Sequence, residues 1–115
     1  MTEMNEELES ELEPRPNKDL IRQGQRKTPR DAAELKKLVV RLNRIEGQIR
    51  GVRGQLERDA YCTDILIQVA AVKSALESFN KELLSNHLNA VVAPELKAGN
   101  NEVIDELVWA LQKLR

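Results

Sequence analysis

The sequence predicts an all-α fold for its 115 residues, and two observations support that prediction. Apolar residues recur at alternating spacings of three and four, which is the period of an amphipathic helix. The chain has only three aromatic residues, so aliphatic side chains must form the core, and this composition favours helices over a β-sandwich. Such a short chain has a thin core. We therefore expect helix faces to be buried against a second copy.

The first 30 residues are predicted to form a disordered arm that precedes a folded domain at 31–115. They are rich in charge, lack sustained apolar periodicity and contain three of the four prolines. Residues 1–13 contain six glutamates and no base, whereas residues 14–58 contain thirteen lysines and arginines against five acidic residues. No segment is apolar enough to span a membrane, and the acidic start is unlike a signal peptide. We expect a cytoplasmic protein without a membrane partner.

The first predicted helix begins near Leu35. Its apolar residues follow a heptad pattern over three heptads and end at Leu56. Three glycines lie inside it, at a total cost of roughly 2–3 kcal/mol relative to alanine. Close packing or the close approach of another backbone must offset that cost. The glycines are Gly47, Gly51 and Gly54.

Two further helices are predicted. The segment Asp59–Tyr61 interrupts the first pattern and offers an N-cap for a second amphipathic helix, which continues to Val91 and is closed by Pro94. Residues 99–101 predict a turn before a third, shorter helix at the C-terminus. No strand, long repeat or glycine-rich phosphate loop is evident.

Cys62 and His87 are the only cysteine and the only histidine. At 100° per residue they fall on nearly the same face of the second helix, but about 37 Å apart at 1.5 Å per residue. They cannot bind one ligand within a subunit. If two copies of the helix pack antiparallel about a two-fold axis, Cys62 of one subunit meets His87 of the partner subunit, twice. The alternative is a small apolar residue and a helix-end histidine, with no ligand.

A thiolate and an imidazole together suit Cu(I) or zinc. Cys62 lies in the predicted first turn of its helix, where the helix dipole stabilises a thiolate. Two protein ligands are too few for a closed zinc site, whereas Cu(I) accepts low coordination. An enzyme is not expected, because one cysteine and one histidine without a nearby base or cofactor motif do not form a catalytic site.

Basic residues in the first helix predict duplex DNA as a partner. Several follow one another at spacings of three and four, so they can neutralise several phosphates. No aromatic residues lie among them, which argues against stacking of single-stranded bases. The alternative is a solvated helix face. The predicted DNA-binding residues are Lys37, Arg41, Arg44, Arg50 and Arg53.

Five segments in a fixed order carry a resemblance to a known family. They are Arg44–Val52, Asp59–Cys62, Gln68–Leu76, Leu84–Leu88 and Asp105–Leu107. Over roughly residues 30–115 this combination resembles the CsoR/RcnR/FrmR family of bacterial metal- and electrophile-responsive repressors. The resemblance implies a three-helix subunit, an antiparallel dimer that pairs into a tetramer, and release of operator DNA when an effector binds between subunits.

The resemblance also implies roles for particular residues. Cys62 and His87 match the family's thiolate and imidazole ligands, and Tyr61 and Glu106 match residues that couple the copper site to DNA affinity. Copper sensors carry a second cysteine where this chain has Val91, so we expect Cu(I) with reduced ligation. Nickel or cobalt is not expected, because the arm has no histidine. One alternative is an electrophile such as formaldehyde as the effector. The others are a member that has lost sensing and serves as a DNA-binding or heteromeric partner, and a helical interaction protein that does not bind DNA.

Overall fold

The computed structural model describes residues 21–22, 25–26 and 29–114. Most of the predicted arm therefore lies outside the described residues. Its described part contains two antiparallel strands of two residues each, which the sequence analysis did not predict. They are β1 (Ile21–Arg22) and β2 (Gln25–Arg26).

The rest of the described chain is helical, and the prediction of an all-α fold is confirmed. It divides into two compact units, of which one spans Arg30–Leu88 and the other contains the helices after Asn89. The helical elements are α1 (Ala32–Glu57), α2 (Cys62–His87), a π-helical segment (Leu88–Val92), α3 (Ala93–Lys97) and α4 (Glu102–Gln112).

The helices α1 and α2 pack against each other as a hairpin. Leu38 and Ile45 of the predicted heptad pattern are buried, and Val52 is half-buried. These three occupy one of the two apolar heptad positions, so that position faces α2. The other apolar heptad position stays exposed in the subunit. Its residues are Leu35, Leu42, Ile49 and Leu56.

The turn between α1 and α2 is a Schellman motif, which differs from the expected N-cap. Asp59 adopts a left-handed conformation with φ 54°. Its N–H donates to the Leu56 carbonyl at 3.2 Å, and the Ala60 N–H donates to the Gln55 carbonyl at 2.9 Å. Asp59 therefore caps the end of α1. The residue before α2 is Tyr61, which makes no side-chain capping hydrogen bond.

The region after α2 also differs from the prediction. The α-helix ends at His87 and a π-helical segment follows, so the second helix does not continue regularly to Val91. Pro94 is the second residue of α3 and does not close α2, because proline is tolerated in a first helical turn, where its missing N–H has no intrahelical partner. The predicted turn at residues 99–101 is confirmed, with Gly99 at φ 88° ending α3.

The second unit has a small core and a capped helix start. Val92 and Val103 are buried together. The Glu102 N–H donates to Asn100 Oδ1 at 3.2 Å, and Asn100 Nδ2 donates to Glu95 Oε2 at 3.1 Å. The Asn100 side chain thus satisfies one of the unpaired N–H groups at the start of α4. None of the described helices has the length and apolarity to cross a membrane.

Candidate effector site and nucleic-acid interface

Cys62 and His87 are the first and last residues of α2. A regular helix of that length separates them by about 37 Å. Cys62 is exposed with a free thiol, and His87 is half-buried. Among the described residues, no group of three or more histidine, cysteine or acidic side chains is arranged to hold a metal ion. A single subunit therefore does not bring the two candidate ligands together.

An exposed apolar stripe runs from Leu66 to Leu76 in the first part of α2. Its residues Leu66, Val69 and Leu76 lie within about 50° of the mean direction of Cys62 and His87 at 100° per residue, so they share one face of the helix. The three apolar side chains are 41–59% exposed. Apolar stripes of this length in soluble proteins normally mark a surface that binds another molecule.

The two residues expected to support the site lie in different units. Tyr61 directly precedes Cys62, and its side chain is 74% exposed. Glu106 lies on α4, where its Oε2 atom is buried. Their roles beside a bound effector stay predictions.

Three of the predicted DNA-binding residues line two grooves of the hairpin. Arg41 and Arg44 border both grooves, and Lys37 borders the larger one. The smaller groove, here the serine groove, has a volume of about 310 Å³, and the larger one, here the lysine groove, about 520 Å³. The serine groove is lined by Arg41, Arg44, Ile45, Gln48, Ala71, Ser74, Ala75 and Ser78. The lysine groove is lined by Ala33, Lys36, Lys37, Val40, Arg41, Arg44 and Glu82.

The other two predicted residues, Arg50 and Arg53, border neither groove. Arg50 Nη1 lies 3.5 Å from Glu46 Oε1, and Arg53 Nε lies 3.2 Å from Glu57 Oε1. The four side chains are 64–78% exposed, so each pair contributes only about 0.3–0.5 kcal/mol. Arg53 also lies about two and a half turns beyond Arg44, which places it on the opposite side of α1.

Sequence reasoning missed part of the groove lining. Lys36 was not predicted, although it adjoins Lys37 and borders the lysine groove. Ser74 and Ser78 were also missed. A signal for them exists, because four small residues recur on α2 at helical spacing, but only the packing of α2 on α1 places this row opposite the arginines. The small residues are Ala71, Ser74, Ala75 and Ser78.

The chain matches the family model for metal-sensitive transcriptional repressors over residues 34–113, and it belongs to that family. The resemblance noted in the sequence is thereby confirmed. The family consists of transcriptional repressors and not of enzymes.

Several known proteins are similar to this chain. The copper-sensing transcriptional repressor CsoR of Bacillus subtilis is 39% identical over 85 residues, which cover 73% of this chain and 84% of that protein. The copper-sensing transcriptional repressor RicR of Mycobacterium tuberculosis is 46% identical over 59 residues, or 51% of this chain and 62% of that protein.

Two solved structures are similar as well. The copper-sensing repressor CsoR with Cu(I) from Geobacillus thermodenitrificans has a TM-score of 0.72 and 36% identity, and the match covers 76% of this chain and 92% of that one. The nickel-responsive transcriptional regulator InrS has a TM-score of 0.56 and 36% identity, over 76% of this chain and 94% of that one. The similar proteins therefore include sensors of two different metals.

Proposed function

We propose that this protein is a DNA-binding repressor that releases its operator when Cu(I) binds between subunits, at Cys62 of one subunit and His87 of the partner subunit. The observation that carries the proposal is the position of these two residues at opposite ends of one helix, on the face that carries the exposed apolar stripe. An antiparallel copy of α2 would cover the stripe and join each thiol to an imidazole. Relatives named as copper sensors support Cu(I) as the effector.

The assembly follows from the same stripe. Burying apolar side chains contributes roughly 25 cal/mol per Å² of area removed from water, so pairing of two stripes is favourable. We infer an antiparallel dimer that pairs into a tetramer. Light scattering at micromolar concentration is expected to give a dimer or a tetramer, and a monomer would contradict the shared site.

The donor set fits Cu(I) when two subunits supply it. A thiolate and an imidazole are suitable ligands for this ion. When bound, Cu(I) supplies a link between two subunits. Cys62 and His87 hold that link, Tyr61 and Glu106 support it, and Val91 adds no donor atom. A ligand between subunits can shift affinity for DNA because it binds two arrangements of the assembly differently.

DNA binding is assigned to the basic side chains of α1. Lys37, Arg41 and Arg44 border the grooves. Arg50 and Arg53, each beside a glutamate, are the other two proposed contacts. Cationic side chains of this kind bind duplex DNA mainly through its phosphates. The place of action is the cytoplasm, where the operator is accessible.

A second candidate effector is an electrophile such as formaldehyde. The exposed thiol of Cys62 favours it, because a thiolate in a helical first turn is a nucleophile as well as a metal ligand. In that case Cys62 reacts and His87 is dispensable, whereas Cu(I) needs both residues.

Release of DNA by each effector separates these candidates. Wild type, Cys62→Ser, His87→Gln and Val91→Cys would be bound to a duplex selected by the wild type from a random pool, then titrated with Cu(I) or formaldehyde. We expect Cu(I) to release the wild type, Val91→Cys to respond at lower Cu(I), and both other variants to stay bound. Release of the Cys62→Ser protein by Cu(I), or retention of the wild type, would contradict copper sensing.

A further inference from the structure

The strands β1 and β2, here called the arm ribbon, are paired in a defined register. Ile21 pairs with Arg26, and Arg22 pairs with Gln25. Each strand has only two residues, and an isolated ribbon this short is at most marginally stable in water. Within the described chain, the two strands make extensive contact only with each other. The arm ribbon therefore needs a surface that the described helices do not provide.

The sequence around the arm ribbon is strongly basic. Residues 14–30 contain six lysines and arginines and a single acidic residue. Each strand contains one of the arginines. A segment with this excess of positive charge favours a polyanion as its partner. The basic residues are Arg15, Lys18, Arg22, Arg26, Lys27 and Arg30.

The arm ribbon closely precedes the proposed DNA contacts of α1 in the chain. Arg26 ends β2 and lies six residues before Ala32, the first residue of α1. A chain of that length spans at most about 20–22 Å, or about six base pairs of B-DNA. Lys36 and Lys37, which border the lysine groove, follow in the next turn of α1. A duplex bound along α1 is therefore within reach of the arm ribbon.

We propose that the arm ribbon binds backbone phosphates of the operator beside those bound by α1, through Arg22 and Arg26. Arginine matches the geometry of phosphate oxygens, and two-stranded ribbons and N-terminal arms both bind duplex DNA. The inference rests on the proposed function. It adds a DNA contact that is separate from the basic side chains of the helices, and it gives the basic part of the arm a role.

Salt dependence tests whether the two arginines contact phosphates. In effector-free protein, Arg22→Gln/Arg26→Gln is expected to bind a duplex selected by the wild type about threefold to tenfold more weakly. The slope of affinity against salt should fall by about one to two, because up to two phosphate contacts are lost. Lys97→Gln on α3 is the control for net charge, and it should leave affinity and slope nearly unchanged. Equal effects in the control and in the arginine variant would contradict the inference.

A proline substitution tests whether the paired strands are needed. Gln25→Pro keeps every charge but removes an N–H at the position paired with Arg22, whereas Gln25→Ala keeps that N–H. We expect Gln25→Pro to weaken DNA binding and Gln25→Ala to match the wild type. If Gln25→Pro also matches the wild type, the charge acts without the ribbon and the inference is wrong.

Ethylation interference locates the contacted phosphates. The wild type should show a set of phosphates within about six base pairs of those that Arg41→Gln no longer contacts, and Arg22→Gln/Arg26→Gln should lose that set alone. An unchanged phosphate pattern in the double variant would overturn the inference. These measurements need no Cu(I), so a wild type that binds DNA but is not released by Cu(I) contradicts only the proposed effector. A wild type that binds no DNA would contradict both proposals.

Discussion

The two halves of α1 differ in how many basic residues they carry, four in the first half and two in the second, and in how those residues are paired. In the first half, Lys37, Arg41 and Arg44 border grooves and form no ion pair within the described part of the chain. In the second half, Arg50 and Arg53 each lie beside a glutamate one turn away. A count of lysines and arginines alone therefore overstates the positive charge that the second half presents to DNA.

The two halves also differ in intrinsic helix propensity. The second half contains three glycines, which lower its propensity, and the first half contains none. Around Gly51, no atom of a neighbouring side chain or element lies within 4 Å of where a Cβ would be. Packing within the subunit therefore does not require a glycine at this position.

The largest expected effect contrasts the arginines of the two halves. Arg41→Ala/Arg44→Ala is expected to weaken DNA binding about 10- to 100-fold near 0.1 M salt and to reduce the salt slope by about two, because two phosphate contacts are lost. Arg50→Ala/Arg53→Ala should cost less than about fivefold. Fluorescence anisotropy across a salt series measures both quantities. Equal losses in the two double variants would mean that pairing with glutamate does not reduce the contribution of an arginine.

A smaller effect is expected when the glutamates of the second half are neutralised. Glu46→Gln/Glu57→Gln frees Arg50 and Arg53, so DNA binding should tighten about twofold to fivefold at low salt and less at high salt. The helix should lose no more than about 0.5 kcal/mol per pair. Glu77→Gln on α2 is the charge-matched control. If that control tightens binding equally, the effect reports net charge and not the freed arginines.

The smallest effect concerns the glycines. Gly51→Ala is expected to raise the free energy of unfolding by about 0.5–1 kcal/mol, because it adds helix propensity in open space. Gly99→Ala should lower it, since a φ of 88° strains any residue with a side chain. Urea titrations at one protein concentration compare them. A loss of DNA binding or assembly in Gly51→Ala would instead reveal another molecule lying against this face.

Much of the fold was predictable because helical periodicity is local. The apolar period of α1 indicated the helix, and the burial of Leu38 and Ile45 agrees with it. The left-handed Asp59 was not predicted, because aspartate before a helix usually indicates an N-cap. The π-helical turn after His87 was not predicted either, since no sequence period specifies so short a deviation.

The positions of the candidate ligands on one helix were predictable, whereas the surroundings of the basic residues were not. The spacing of Cys62 and His87 sufficed to place them on one face of a helix. The glutamates beside Arg50 and Arg53 lie four residues away and could have been recognised as partners. The serines opposite Arg41 could not have been recognised from the sequence, because their position relative to this arginine depends on how α2 packs against α1.

The small number of buried side chains has a consequence for how the protein behaves on dilution. Among the described residues, the buried apolar core consists of Leu38, Ile45, Val92 and Val103. When a chain folds fully only together with its copies, mass action couples unfolding to protein concentration, and the melting temperature falls as the protein is diluted. A repressor present in few copies per cell would then be held folded partly by its own abundance, and newly made subunits would stabilise those already assembled.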